Sequence, residues 1–399
     1  MTVSTTIRPP ALDSAELQAI LGDVAADARH RRETGGGRPD VALDLVRRHR
    51  LGAVRVPLDA GGGGYTKREL FTLLIRLAEA DPDVPHILRL HYGFVEEILR
   101  SPQDHRGRLV QVLDGVLFGG ASSELSGQPG VYTYDTTLTP DGDGYRLNGR
   151  KFYSTGSLYS DFLRVAADDD AGHQVSVLIP AHRDGVTHVD DWDGIGQRET
   201  GSGTTVLDDV RVEADEVLPF RHPDGRRPRG AQAQLLLHAV AAGILRAVTS
   251  DAVDLLRHRN RTYTWGNAEQ ARHDPQLLQV VGSLSAAAFV VEAAVLAAAD
   301  AQDRADAAFA GTGTADDALA LEASLLASRV KVGVEDLALR AAGELFAVGG
   351  ASATRASAHL DRHWRNLRTL FSHNPTVYKA RAIGDHLVNG TPLPQVGFF

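Results

Sequence analysis

Gly144-Tyr145-Arg146-Leu147-Asn148-Gly149-Arg150-Lys151-Phe152-Tyr153-Ser154-Thr155-Gly156-Ser157 is the run that sorts this chain. Asp143-Gly144 before it and Asn148-Gly149 within it read as tight turns, and Tyr145 to Leu147 alternates as a strand does. A cluster of hydroxyl-bearing residues follows where the strand should end. Working outward, Tyr132 to Leu138, Phe162 to Ala166, Val175 to Ile179 and Thr204 to Leu207 also read as strands, with turns at Asp141-Gly142 and Asp184-Gly185. Residues 119–222 are therefore expected to form a small β domain.

Both flanks have a different texture. In residues 1–118, Leu17, Ile20, Leu21 and Val24 recur at helical spacing, as do Leu70, Leu73, Leu74 and Leu77. Thr66 with Glu69 reads as a capping box, and Gly61 to Gly64 as a turn into that helix. In residues 223–399 the alanine-rich stretches Gln232–Arg257, Gln276–Ala308, Asp316–Phe346 and Ala353–Leu367 predict four helices packed as a bundle. Gly349-Gly350 would stop the third helix, and Asn374-Pro375 would open a fifth that ends before Gly390. The patch Gly311 to Gly313 reads as a loop. The expected class is α+β: an N-terminal helical domain, a middle β domain and a C-terminal four-helix bundle.

Composition excludes more than it selects. Lys and Arg number 42 against 51 Asp and Glu, a net charge of −9, so nothing attracts a phosphate backbone and nucleic acid is not an expected partner. The chain has no cysteine, which removes disulfides, thiolate metal sites and a cysteine nucleophile. Residues 1–30 lack the unbroken apolar core of a signal peptide. Ala286 to Ala299, interrupted by Glu292, reads as a buried helix too short to cross a bilayer uncharged. A cytoplasmic protein with no membrane partner is expected. His359 and His363 stand four apart without the glutamate of a zinc protease helix, so no metal is expected. Neither a Walker loop nor a Gly-x-Ser-x-Gly elbow is present.

What remains are polar clusters where the three textures meet, and their order resembles a known family. Gly120-Ala121-Ser122-Ser123-Glu124, the opening run from Gly144 to Ser157, and Gly201-Ser202-Gly203-Thr204-Thr205 leading into Leu207-Asp208-Asp209-Val210 resemble the middle domain of the acyl-CoA dehydrogenase superfamily. Leu345 to Gly350 and Arg362-His363-Trp364-Arg365-Asn366-Leu367-Arg368-Thr369 continue the resemblance. Arg261-Thr262-Tyr263-Thr264-Trp265, Asp274-Pro275, Ser372-His373-Asn374-Pro375 with Tyr378-Lys379, and Gly384 through Gly390 are similar to its flavin-dependent monooxygenase branch, the dibenzothiophene monooxygenase type.

That resemblance implies a two-component enzyme. It would take reduced flavin, FMN with FAD as the alternative, from a separate reductase. With O2 it would form a flavin hydroperoxide and oxygenate nitrogen, sulfur or aromatic carbon of a small molecule, as a homotetramer. The flavin would lie in a dry pocket between the β domain and the bundle. Tyr153, Ser154 and Thr155, with Ser122 and Ser123, would bond its polar edge through hydroxyls and backbone amides. Arg261 would hold the phosphate through its fork of donors, with Trp265 nearby. Gly349 and Gly350 would meet a neighbouring subunit's cofactor. His373, His91 and Thr155 are the catalytic candidates, His373 is also a candidate flavin contact, and His91 can equally be a buried, hydrogen-bonded core residue.

Two rivals stay open: a dehydrogenase-like FAD flavoprotein oxidising an acyl thioester, and a structural relic without flavin. The dehydrogenase reaction needs a carboxylate base. After Arg365–Arg368, where the family commonly places it, this chain reads Leu370-Phe371-Ser372-His373-Asn374. The sulfur-oxidising enzymes tend to carry a second histidine three residues before His373; Leu370 stands there, which argues against dibenzothiophene-type substrates.

Overall fold

The computed structural model describes residues 8–100, 107–125, 133–219, 230–394 and 399. Six helices come first: α1 (Ala15–Glu33), α2 (Asp40–Arg48), α3 (Lys67–Ala80), α4 (Asp83–Ile87), α5 (Arg89–Arg100) and α6 (Arg108–Leu113). The capping box at Thr66 forms: its hydroxyl accepts from Glu69 N at 3.1 Å, and Glu69 Oε2 accepts from Thr66 N at 2.8 Å. Asp303, on a helix more than two hundred residues away, accepts from Lys67 N at 2.6 Å and Arg68 N at 3.0 Å. Three amides at this helix start are thus met by carboxylates and the fourth by the Thr66 hydroxyl.

The middle of the chain forms eight strands: β1 (Phe118–Ala121), β2 (Thr137–Asp141), β3 (Gly144–Lys151), β4 (Phe162–Asp169), β5 (Gln174–Pro180), β6 (Val186–Val189), β7 (Thr204–Val212) and β8 (Val217–Pro219). They make one sheet in the order β6-β7-β3-β2-β4-β5-β8, with β1 parallel to β4. Tyr132, expected to begin β2, lies outside the described residues. The Asn148-Gly149 turn is not a turn. β3 runs straight through it with a register shift between Leu147 and Gly149, a bulge opposite β7. The strand reverses instead at Asp141–Gly144.

Five helices complete the chain: α7 (Ala231–His258), α8 (Pro275–Thr312), α9 (Asp317–Gly349), α10 (Asp361–Ser372) and α11 (Thr376–Asn389). The fourth expected helix starts later than its sequence suggested, because Gly350–Thr354 and Ala356–Ala358 form short 3-10 turns ahead of Asp361. Gly311 belongs to α8, and only Gly313, at φ 69°, caps it.

The N-terminal helices have no core of their own. Leu17, Leu70, Leu74 and Tyr92 join Leu235, Val240, Val291 and Leu345 in one cluster of buried side chains. α3 crosses α7 so closely that a Cβ on Gly243 would lie 2.4 Å from Ile75 O. The sheet has a separate core around Leu147, Val165, Val177 and Val210. A third cluster sets Phe94, Val95, Ile98 and Val112 of α5 and α6 against Phe118 and Leu178 of the sheet, so the N-terminal helices pack on both the bundle and the sheet.

α7 and α8 are each long and apolar enough, by length and composition, to cross a bilayer. The expectation that the Ala286–Ala299 stretch is too short and buried is corrected: α8 spans 38 residues, and 28% of its most apolar window is buried within this chain. Glu292 is not free on that helix; both of its oxygens accept from Arg246 of α7, at 2.6 and 2.7 Å. Phe289 is 72% exposed and Val290 49% exposed on its outer face.

Candidate active site

The polar run after β3 is placed by a buried ion pair. Lys151 Nζ lies 2.5 Å from Glu124 Oε1, which also accepts from Thr136 Oγ1 at 2.6 Å. Burial pushes the Glu124 carboxyl up, but Lys151, Thr136 and the Asp135 amide hold it below the usual range. This clip joins the exits of β1 and β3, and Phe152 N donates to Ser123 O at 2.9 Å. Ser122 and Ser123, both exposed, stand beside the segment that carries Tyr153, Ser154 and Thr155.

Tyr153 takes the left-handed φ of 56°, which a non-glycine residue adopts only under constraint. Its ring meets Trp192 edge-on at 6.1 Å and is otherwise 59% exposed. The expected backbone donors are not free: Ser154 N donates to Gly203 O at 3.1 Å and Thr155 N to Tyr153 O at 2.8 Å. The side chains carry the capacity instead. Ser154 Oγ is buried without a partner.

Thr155 belongs to a relay whose direction can be read. Thr200 Oγ1 donates to Gln197 O, so Ser202 Oγ must donate to Thr200 Oγ1 at 2.6 Å. Thr155 must then donate to Ser202 at 2.8 Å, which leaves its lone pairs for an incoming N–H group.

Gln197 ties three elements together. Its N–H donates to Asn366 Oδ1 of α10 at 2.7 Å, and its carbonyl accepts from Trp192 Nε1 at 2.9 Å. Its Oε1 lies 2.8 Å from His86 Nδ1 of α4. The amide oxygen accepts, so His86 carries its proton on Nδ1 and presents a lone pair at Nε2, which is buried with no partner. Burial and the nearby Arg89 push the His86 pKa down to about 4, so the ring is neutral. Gln197→Leu is expected to convert this single tautomer into a mixture, since about 1 kcal/mol of hydrogen bonding is lost. Gln197→Glu is expected to keep it. Nitrogen-15 NMR of labelled histidine distinguishes the two; an unchanged tautomer in the leucine variant removes Gln197 from this role.

Cations surround His373, which follows α10 and faces the start of α5. Arg89 donates through Nε to Ala233 O at 2.9 Å and lies 3.0 Å from His373 Nε2 through Nη1. Asn374 Nδ2 approaches His373 Nδ1 at 3.2 Å and donates to Gln234 Oε1 at 2.8 Å. Buried Lys331 sets the Asn374 amide by donating to its Oδ1 at 3.1 Å and its carbonyl at 2.6 Å. Arg89 can only donate, so His373 Nε2 accepts and the single proton of the neutral ring sits on Nδ1, beside the Asn374 amide. His373 is accessible yet surrounded by protein, as a residue on a concave wall is. Burial, then Arg89, His86, Lys331 and Lys379, hold its pKa well below the ordinary value. It is built as a neutral acceptor.

His91 is placed elsewhere. Its Nε2 lies 3.0 Å from Gly52 O, Phe118 N donates to its Nδ1 at 3.3 Å, and its ring is packed between Tyr92 and Phe118. Both nitrogens are committed to backbone, which leaves none for a substrate. The histidine that lies near His373 is the buried His86, which the sequence analysis did not single out; its signal was the His-x-x-Arg spacing to Arg89. His363, one of the pair at 359 and 363, donates toward Asp251 at 2.7 Å instead of toward a metal.

Arg261, Trp265, Gly349 and Gly350 form a second surface. Arg259 Nη1 donates to Val348 O at 2.6 Å and its Nε to Arg261 O at 2.9 Å, so one side chain joins the loop to the end of α9. Gly350 stands at φ 58°, ψ −149°, a conformation that needs glycine. Arg261 is exposed and Trp265 is 81% exposed. Among the described residues no hydrogen bond or ring contact ties this surface to Tyr153–Thr155 of the same chain.

Comparison with known proteins agrees with this architecture. Residues 121–210 match the family described as acyl-CoA dehydrogenase, middle domain, and residues 235–377 match acyl-CoA dehydrogenase, C-terminal domain. The dibenzothiophene monooxygenase of Rhodococcus erythropolis is 32% identical, over 91% of this chain and 90% of that protein. A probable FMNH2-dependent monooxygenase, SfnC, of Pseudomonas putida is 27% identical over 98% of both chains. The crystal structure of TdsC from Paenibacillus sp. A11-2 with FMN and indole superposes with a TM-score of 0.86 at 26% identity, over 97% of this chain and all of that one. A chain with this sheet and bundle, this hydroxyl run, and relatives alike over nearly its whole length belongs to the acyl-CoA dehydrogenase superfamily, in its flavin-dependent monooxygenase branch.

Proposed function

We propose that the chain takes reduced FMN as a cosubstrate from a separate reductase and uses O2 to oxygenate a small organic molecule in the cleft between the sheet and the bundle. The donor and acceptor set supports a flavin there. The orphaned Ser154 hydroxyl, the outward lone pairs of Thr155 and the exposed Ser122 and Ser123 suit a flat ring whose edge alternates N–H and C=O. Reduced flavin, when bound, supplies the two electrons that let one oxygen atom pass to the substrate. His86 Nε2 holds a buried lone pair near His373, and His373 offers an acceptor that Arg89 and Asn374 orient. Trp192 and Tyr153 cover the cleft's edge against water.

The observation that carries this reading over a dehydrogenase is the set of cations around His373. Arg89, Lys331 and Lys379 are the charges acting on His373, and residues 370–374 hold no carboxylate that could take a proton from an acyl group. FMN is preferred over FAD because TdsC is seen with FMN and SfnC is described as FMNH2-dependent.

The finer assembly is a homotetramer in the cytoplasm. The exposed apolar face of α8 and the exposed Tyr263 and Trp265 support a second copy seated there. In such an assembly the Arg259-clipped surface would bring Arg261, Gly349 and Gly350 to a neighbour's FMN phosphate.

The test combines an FMN titration with reductase-coupled turnover under 18O2, using indole as the first substrate. Binding of FMN and one labelled oxygen atom per product are expected. No flavin binding at about 100 μM leaves the relic; bleaching of tightly held FAD by an acyl thioester without oxygen establishes the dehydrogenase.

A further inference from the structure

Among the described residues several largely buried cations are matched with carboxylates. Lys67 meets Glu96 at 2.5 Å, Lys151 meets Glu124 at 2.5 Å, Arg55 meets Glu96 at 2.6 Å and Arg246 meets Glu292 at 2.6 Å. Arg31 contacts both Asp27 and Asp81. Arg89 breaks the pattern. Its protein contacts are the Ala233 carbonyl and the His373 ring, and no carboxylate among the described residues lies within ion-pair distance. The guanidinium is half-buried, and burial lowers its pKa to about 10 with no anion acting in the other direction. Lys331, a second buried cation near the same histidine, is satisfied by the oxygens of Phe371 and Asn374. A guanidinium held this way, with N–H groups left over and no carboxylate partner, is a seat for an anion.

We propose that the substrate of this site is a small organic acid, and that the Arg89 guanidinium binds its carboxylate or a comparable oxyanion. This deepens the oxygenase reading and rests on it. The remaining N–H groups of Arg89 form the planar fork that takes two oxygens at once. An anion drawing Nη1–H toward itself releases His373 Nε2, whose lone pair then faces the bound molecule. Binding the acid and readying the histidine become one event. Neutral His86, His238 and His373 add no charge of their own, so the preference comes from Arg89 with Lys331 behind it.

The probe pair is benzoate and benzamide, which share a shape and differ in charge. Each is titrated into the FMN-loaded protein, read by calorimetry and by perturbation of the flavin spectrum. Benzoate is expected to bind about 10–100-fold more tightly, as one charge-assisted contact predicts. Arg89→Met is expected to abolish that preference and leave benzamide within about twofold. Arg89→Lys, which keeps the charge and loses the fork, should retain a preference reduced several-fold. Equal binding of the two probes by the unaltered protein overturns the proposal, as does an absence of benzoate binding up to about 10 mM. Weaker affinity for reduced FMN in Arg89→Met, with benzoate unaffected, also overturns it, since the cation would then serve the reduced flavin's own negative charge. Failure of FMN to bind at all strikes the oxygenase reading, and a flavin-free titration of the two probes still decides the anion seat.

Discussion

His373→Ala is expected to lower oxygen incorporation in the reductase-coupled assay by about 10²–10⁴-fold, the usual worth of a positioned group that accepts or passes a proton. The affinity for FMN should change by less than about threefold, because the flavin contacts proposed above come from the sheet and from the second surface. The asymmetry follows from the ring's surroundings. Arg89 and Asn374 fix its plane from opposite sides, and Lys331 fixes Asn374. Alanine empties that seat without disturbing the Ser154 and Thr155 side. His373→Asn separates two explanations: its amide oxygen can still accept from Arg89 but cannot carry a proton. If asparagine restores turnover, the ring only orients Arg89; if both variants fail alike, proton handling is the role. Unchanged turnover in the alanine variant removes His373 from the mechanism.

The largest stability effect is expected at Glu96 of α5. Its carboxylate meets Lys67 at 2.5 Å and Arg55 at 2.6 Å, and the same cations reach Asp306 of α8 at 3.4 and 3.3 Å. Lys67 is 1% exposed, so little water can replace a lost partner. Glu96→Leu strands two cations on one carboxylate and should cost about 3–5 kcal/mol, with Tm falling by on the order of 10 °C.

The same group makes stability depend on acid. Burial raises the Glu96 pKa, but Lys67 and Arg55 outweigh it and bring the value from 4.5 down to about 2. A depressed folded-state pKa stabilises at pH above the unfolded value and ceases to do so below the folded one. The contribution, about 3 kcal/mol for such a shift, is present above pH 4.5 and disappears as pH falls toward 2. Urea melts across that window should show the variant losing about one proton's worth of pH slope. An equal slope in both proteins would show that Glu96 does not carry the acid sensitivity.

Local signals in the chain were read reliably because they are local. The Thr66–Glu69 box, the helical spacing of α1 and α3, and the alternation of β4 and β5 need only neighbours along the sequence. Phe118–Ala121 was missed as a strand because it is buried on both faces and does not alternate. Asn148-Gly149 misled because its glycine serves a bulge rather than a reversal. At the site, the hydroxyl run after β3 was legible through resemblance, but the partners that give it direction were not. His86 and Gln197 are 111 positions apart, and Arg89 and His373 are 284 apart. No periodicity reports such pairs. His91 was the candidate and His86 was not singled out, yet the nitrogens of His91 are bonded to Gly52 and Phe118.

The helices before the sheet share their apolar interior with helices that follow it. A ribosome releases those two halves far apart in time, with the whole sheet between them. The leading segment, α1 to α5, therefore emerges with Leu17, Leu70 and Leu74 unshielded and must wait for α7 to α9 before it can close. Closure of the helical core therefore waits on the trailing third, while the sheet can settle earlier on its own cluster and on α5 and α6, which precede it.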